Sequence, residues 1–140
     1  MQIPDAASLA LNTTPLHEIQ EKLLKMKRVL KDTKKLIVLT HENPDPDCIS
    51  CALTLAAIVH QLFGIPAVAR YTGMIGRAEN RQMIQLLNLK IKKLSKADLQ
   101  SKPHFAMVDA QPFTGNSALP KNAKPIIVID HHPLRRATKA

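Results

Sequence analysis

Aromatic side chains are scarce in this chain: tryptophan is absent, and one tyrosine and three phenylalanines make up 3% of the residues. That scarcity removes the interleaved stacking platform from which a single-stranded nucleic-acid partner would be argued, and it leaves Leu, Ile, Val and Met to build the interior. Cysteine is nearly absent too. The two present form Cys48-Ile49-Ser50-Cys51. One pair cannot complete a four-ligand zinc site, and Asp45 and Asp47 just upstream would raise thiol pKa values that a redox pair needs lowered. Both are read as small buried residues at the start of a helix. No apolar run approaches the roughly 18 residues that span a bilayer, and Met1 to Thr14 has no basic-then-apolar signal pattern. The expected location is cytoplasmic, with no membrane partner.

What is present fits a globular chain of 140 residues, 45% hydrophobic and 22% charged, long enough for one domain with a buried core. The net charge of +9 makes an anionic partner plausible over roughly a Debye length of ~10 Å. The lysines gather at Lys22 to Lys35 and at Lys90 to Lys102, and both groups are read as solvated faces.

Met1 to Pro15 reads as an extended lead-in. From Leu16 to Lys31, the apolar Leu16, Ile19, Leu23, Met26 and Leu30 recur at helical spacing. Leu36 to Thr40 has the short, continuous apolarity of a strand covered on both faces. Ile49 to Phe63 reads as a deeply buried helix stopped by Gly64-Ile65-Pro66. Ala67 to Tyr71 is a second strand, Ala78 to Leu87 another helix, and Leu89 to Leu94 a short third strand. Phe105 to Val108 and Ile126 to Ile129 are further strands, joined by a long connection from Gln111 to Pro125. Strands alternating with helices give an α/β fold, a Rossmann-like, mostly parallel sheet flanked by helices.

Three of these strands end on residue types that bind metals. Leu36-Ile37-Val38-Leu39 runs into His41-Glu42-Asn43-Pro44-Asp45-Pro46-Asp47, Phe105-Ala106-Met107-Val108 into Asp109, and Ile126-Ile127-Val128-Ile129 into Asp130-His131-His132. Parallel sheets gather functional groups beyond the carboxyl ends of their strands, so the three motifs converge on one edge. Carboxylates crowded there must take up protons or bind cations. A mixed carboxylate and imidazole set suits manganese or magnesium, and two such ions suit phosphoester hydrolysis. His17, His60 and His104 lack acidic neighbours and are read as structural. Arg77 and Asn80, in the glycine-containing turn and helix start Gly73 to Asn80, are candidates for facing a substrate phosphate.

From Leu36 to Pro133 these motifs resemble the DHH phosphoesterase family, named for the tripeptide found here as Asp130-His131-His132. The resemblance implies two divalent cations, manganese first and magnesium second, held by His41, Asp45, Asp47, Asp109 and His131, with Asp109 bridging. It implies that Asp130 orients His131 and that His132 contacts the scissile phosphate, so that Asp130 and His132 serve catalysis and Arg77, Asn80 and His132 the substrate. Asp109-Ala110-Gln111-Pro112 and Gly76-Arg77-Ala78-Glu79-Asn80 look most like the branch of short-oligonucleotide hydrolases and 3′-phosphoadenosine 5′-phosphate phosphatases. The expected substrate is then a small phosphorylated nucleotide or short oligonucleotide; the alternatives are pyrophosphatase or exopolyphosphatase activity, or an inactive metal-binding or regulatory module of the same fold. Family members carry a further aspartate ligand and a smaller substrate-gripping domain downstream of the tripeptide. Residues 1–140 are thus expected to be one DHH-type domain, incomplete at its C-terminus, with a substrate-binding domain in the full-length protein. A homodimer is left open.

Overall fold

The computed structural model describes residues 13–135, apart from 117, 118 and 121. Its elements are α1 (Thr13–Val29), β1 (Leu36–Leu39), α2 (Pro46–Phe63), β2 (Ala67–Tyr71), α3 (Ala78–Leu86), β3 (Lys92–Lys93), α4 (Lys96–Gln100), β4 (His104–Val108) and β5 (Pro125–Ile129). The chain divides into two compact units, 1–31 and 32–140.

The first unit is built on α1. Its last turn carries Lys27 and Arg28, cations placed where the helix dipole is negative. Of its apolar positions, Leu16 and Ile19 are exposed, Leu23 and Met26 half-buried, and Leu30, just past the helix end, buried. The expected lead-in lies mostly outside the described residues, and α1 begins before the expected Leu16.

The second unit is an α/β fold, as the alternation of patterns implies. Its five strands are all parallel, in the order β3-β2-β1-β4-β5. Leu36, Ile37, Val38 and Leu39 are all fully buried, which explains why β1 reads as continuous apolarity instead of alternation. Successive side chains point to opposite faces, and Ile37, Leu39, Phe105 and Met107 form one cluster, joined by Ala110. Val68, Leu94, Leu119 and Ala123 pack against it, so the long connection after β4 folds back to contribute to the core.

Helix α2 packs on β1, β2 and β4, burying Cys48, Ile49, Ala52, Leu55, Ala56 and Val59. Asp45 caps its start by accepting a hydrogen bond from the Cys48 N–H at 3.0 Å, and Pro46 occupies its first turn, where no N–H is needed. Gly64 ends it at φ 69°, a left-handed conformation that costs a residue with a Cβ roughly 1–2 kcal/mol. At 18 residues and a mean hydropathy of 1.4, α2 is long and apolar enough to cross a membrane by length and composition alone. That corrects the expectation that no such stretch exists; in this fold the helix lies against the sheet.

Helix α4 was not expected from the sequence, and β3 is shorter than the strand read over Leu89 to Leu94. Ser95 and Asp98 form a reciprocal capping box around α4. The Asp98 carboxylate also accepts two hydrogen bonds from Arg70, Nε at 2.9 Å and Nη2 at 3.2 Å, with Lys35 Nζ 3.6 Å away. This buried fork ties β2 to α4. Hydrogen bonds from Arg70, working against burial and with help from Ser95, hold Asp98 well below the usual carboxylate range. A carboxylate whose pKa is depressed on folding contributes stability above its unfolded value of about 4 and loses it as pH falls toward the folded value. Asp98→Ala should therefore cost roughly 2–3 kcal/mol at pH 7, measured by urea unfolding, and the gap from wild type should narrow between pH 5 and pH 3. An unchanged gap would show that ionised Asp98 is not its source.

Candidate metal centre

The topology brings the three strand-end motifs together. Successive connections from β1 lead outward to β2 and β3 on one side, while β4 and β5 lie on the other. The order reverses between β1 and β4, where such sheets form their ligand crevice. Leu39 of β1 is level with Met107 of β4, and Met107 with Val128 of β5. His41, Asp109 and Asp130 each follow two residues beyond that line.

Asp109 is the centre of the arrangement. It leaves β4 at φ 53°, a left-handed conformation that Asp adopts more readily than most residues, while its N–H still bonds the Ile129 carbonyl at 2.9 Å. Its side chain is 11% exposed. His41 Nε2 lies 3.7 Å from Oδ2, and His131 Nε2 lies 3.3 Å from Oδ1. His132 Nδ1 is 3.8 Å from the same Oδ1. The ligand atoms of Asp109, His131 and His132 all fall within 4.8 Å of one another, as do those of His41, Cys48 and Asp109.

These residues fit a cation. Asp109 Oδ1 is buried without a hydrogen-bond partner among the described residues, a state that costs roughly 1–3 kcal/mol when nothing satisfies the acceptor. His41 Nδ1 is 2.7 Å from the Glu42 carbonyl and so is the protonated nitrogen of the neutral ring. The lone pair then lies on Nε2, facing Oδ2. Two acceptors pointed at each other are at ease only around a cation or a proton, and a backbone bond on the far nitrogen is the usual way to orient an imidazole ligand.

Asp130 and His132 form the adjoining pair. His132 Nδ1 donates to Asp130 Oδ1 at 2.7 Å, and Gln111 Nε2 donates to Asp130 Oδ2, also at 2.7 Å. Burial works to raise the Asp130 pKa, but the hydrogen bonds from His132 and Gln111 outweigh it and lower the net value. The His132 pKa is raised, first by its hydrogen bond to Asp130. The observed partner of Asp130 is therefore His132, where the resemblance named His131. The two rings lie with centroids 4.2 Å apart.

The other expected site residues lie further out. Asp45 is engaged as the α2 cap, and Asp47 is exposed in the first turn. Neither joins the groups of ligand atoms within 4.8 Å, but both share the neighbourhood: the Cys51 pKa is raised first by burial and then by the charges of Asp47, Asp109 and Asp45. Arg77 precedes α3 without a side-chain capping bond, and Asn80 is buried within that helix. The cavity of about 110 Å³ beside Asp109 is lined by neither.

Sequence reasoning missed two residues. The sequence suggests packing alone for Cys48, yet its sulfur reaches the His41–Asp109 group and donates to the Val108 carbonyl at 3.7 Å. Burial, with the charges of Asp109 and Asp45, pushes that thiol up to about 12, so it stands at the site as a neutral thiol. Cys51 is exposed, contrary to the buried reading. Gln111 is the second missed residue. It bonds Asp130, the carbonyls of His132 and Pro133 at 3.3 and 3.2 Å, and the Arg135 N–H at 2.9 Å, partners 19 to 24 residues away that no local pattern announces.

The chain is 33% identical over 131 residues to an uncharacterized protein of Methanocaldococcus jannaschii, covering 82% of this chain and 27% of that protein. It is 33% identical over 98 residues to a probable manganese-dependent inorganic pyrophosphatase of Staphylococcus epidermidis, covering 70% of this chain and 31% of that protein. The chain thus spans under a third of the length of these curated relatives, and neither supports the short-oligonucleotide or 3′-phosphoadenosine 5′-phosphate branch. The model of the DHH family, N-terminal domain, matches residues 35–140, the whole of the parallel sheet with its strand-end cluster, and the chain belongs to that family.

Proposed function

We propose that this chain is the metal-binding part of a hydrolase that cleaves a phosphoester or phosphoanhydride bond with two divalent cations, manganese first. The observation that carries the reading is the buried Asp109 carboxylate, its Oδ1 without a hydrogen-bond partner among the described residues, set between His41 Nε2 on Oδ2 and His131 Nε2 on Oδ1. His41, Asp109 and His131 are the residues that would hold the cations, with Asp45 at the cap of α2 and Asp47 in its first turn contributing. Bound divalent cations supply an acidified water and neutralise charge on a phosphoryl group.

The chain's own residues do the rest. Asp109 faces His41 with Oδ2 and His131 with Oδ1, so each oxygen would share a cation with an imidazole. His41 is fixed in one tautomer by the Glu42 carbonyl. Asp130 holds His132 by its Nδ1–H, leaving Nε2 for a phosphoryl or leaving-group oxygen. The raised pKa of His132 keeps more of it protonated near neutrality, as suits a proton donor to that oxygen.

The substrate is proposed to be a small phosphorylated nucleotide or short oligonucleotide. A second reading, inorganic pyrophosphate, is favoured by the similarity to the probable manganese-dependent inorganic pyrophosphatase of Staphylococcus epidermidis. Both use the same cations and the same His132.

Asp109→Asn keeps the shape and tolerates the positive φ, but removes the charge. Wild type should gain thermal stability with added manganese through linkage; the variant should show little or no gain, its manganese affinity falling at least tenfold. An equal gain in both would sink the bridging role. His132→Asn should leave the manganese-dependent shift intact while lowering phosphate release by about 10²- to 10⁴-fold. If the shift vanished with the activity, His132 would be a ligand.

A further inference from the structure

The two sides of Asp109 carry different chemistry. Oδ1 faces imidazole nitrogens, His131 Nε2 at 3.3 Å and His132 Nδ1 at 3.8 Å. Oδ2 faces His41 Nε2 at 3.7 Å, and on the His41 side a sulfur joins: His41, Cys48 and Asp109 each offer one ligand atom, all within 4.8 Å of one another. The three arrive from separate elements, His41 just beyond β1, Cys48 in the first turn of α2 and Asp109 just beyond β4. Cys48 is 0% exposed, so close packing around α2 leaves its sulfur little room to swing away from the other two.

Packing accounts for a small side chain at position 48, but not for a sulfur between an imidazole and a carboxylate. Its hydrogen bond to the Val108 carbonyl, at 3.7 Å, is a weak one, and breaking it costs little. Three protein ligands of this mixed kind, with a water as the fourth, make an open tetrahedral zinc site. A thiolate favours zinc over the harder manganese and magnesium. The unpartnered Asp109 Oδ1 is independent evidence that this carboxylate is placed for a cation. Cys51 differs on every count: it is exposed and, among the described residues, belongs to no such group. The two cysteines therefore do not act as a pair. One thiol belongs to the metal centre and the other to the surface of α2.

We infer that the His41 side of this centre is a position for a thiophilic divalent cation, zinc first, with Cys48 as a thiolate ligand beside His41 and Asp109. On binding, a sulfur–metal bond replaces the S–H bond and the proton passes to solvent, with no change of oxidation state; metal coordination deprotonates a thiol that is neutral without it. The His131 side, built of nitrogen and oxygen donors, is left to manganese, so zinc competes at one position and not at both. The inference deepens the two-cation reading and rests on it for the second cation, whereas the sulfur ligand stands on its own geometry.

The test is X-ray absorption at the zinc edge on the full chain loaded with one equivalent of zinc. Wild type and Cys51→Ser should both show one sulfur at about 2.3 Å among lighter ligands. With cobalt(II) in place of zinc, both should show the near-ultraviolet band of sulfur-to-cobalt charge transfer, and Cys48→Ser should lose it. Removing a partner of a metal ligand already costs 10- to 100-fold in affinity, so Cys48→Ser should bind zinc at least about tenfold more weakly, with manganese binding unchanged. Nitrogen and oxygen neighbours alone around zinc in wild type, or a cobalt band that survives Cys48→Ser, overturns the inference. The wild-type spectrum decides the sulfur ligand even where Cys48→Ser, at a fully buried position, fails to fold. The two readings fail separately: a sulfur ligand without phosphate release leaves the thiolate position standing and removes the hydrolase, and manganese-dependent phosphate release with no sulfur at zinc does the reverse.

Discussion

The pairing of β1 with β4 in the middle of the sheet is the contact on which the rest depends. Both strands are buried, and their parallel register sets Leu39 beside Met107, so the first polar residues beyond each strand emerge side by side. That is how a histidine at position 41 and an aspartate at position 109 come within 3.7 Å without any local sequence relation. The position is electrostatically expensive. A carboxylate 11% exposed, with one oxygen lacking a hydrogen-bond donor, is worse off than it would be in water by an amount comparable to a sizeable fraction of a small domain's net stability. A fold keeps such a group where a bound cation reverses the sign of the interaction, and the flanking imidazoles are the ligands that a cation would share with it.

Helix α2 couples that site to the core. Its cap, Asp45, belongs to the same acidic turn as His41, and its first buried residue, Cys48, touches both the cap and the metal group. The turn is held at one end by the β1 strand and at the other by a helix whose buried face packs on β1, β2 and β4. Loosening the turn would therefore require moving the best-buried helix of the unit. The stiffness matters for chemistry, because ligand positions must hold to a fraction of an ångström without the cation doing the organising. On the β5 side the corresponding stiffness comes from hydrogen bonds: Gln111 joins the loop after β4 to Asp130, to two backbone carbonyls and to the Arg135 N–H.

The strands and their terminal motifs were legible in the sequence because each is a short apolar run that stops abruptly at a charged residue. The parallel sheet follows from their alternation with helices. Helix α4 was passed over although Ser95 and Asp98 carry the spacing of a capping box; five residues rich in charge give too little periodicity to register. Asp109 was recognisable as a strand-end acid, but its left-handed backbone and its lack of a donor are tertiary facts. Cys48 looked like packing because a thiol among small residues usually is, and only the approach of β4 reveals its other neighbours. The resemblance pairs Asp130 with His131, whereas the hydrogen bond goes to the residue two positions on, where the turn after β5 brings Nδ1 to 2.7 Å.

That last difference changes how the tripeptide works in this chain. If Asp130 oriented His131, the acid would tune the proposed ligand; bonded to His132, it tunes the group beside it. His131 is left facing Asp109 Oδ1 at 3.3 Å and is 76% exposed, so its ring is placed by the shared oxygen and by the neighbouring imidazole 4.2 Å away. His132, by contrast, has its proton held by a carboxylate that is itself fixed by Gln111. The two adjacent histidines thus differ, one exposed and facing Asp109, the other tethered to Asp130 with its pKa raised by that bond. The tether suits the role proposed for His132, because a proton donor must be aimed before the phosphoryl group arrives.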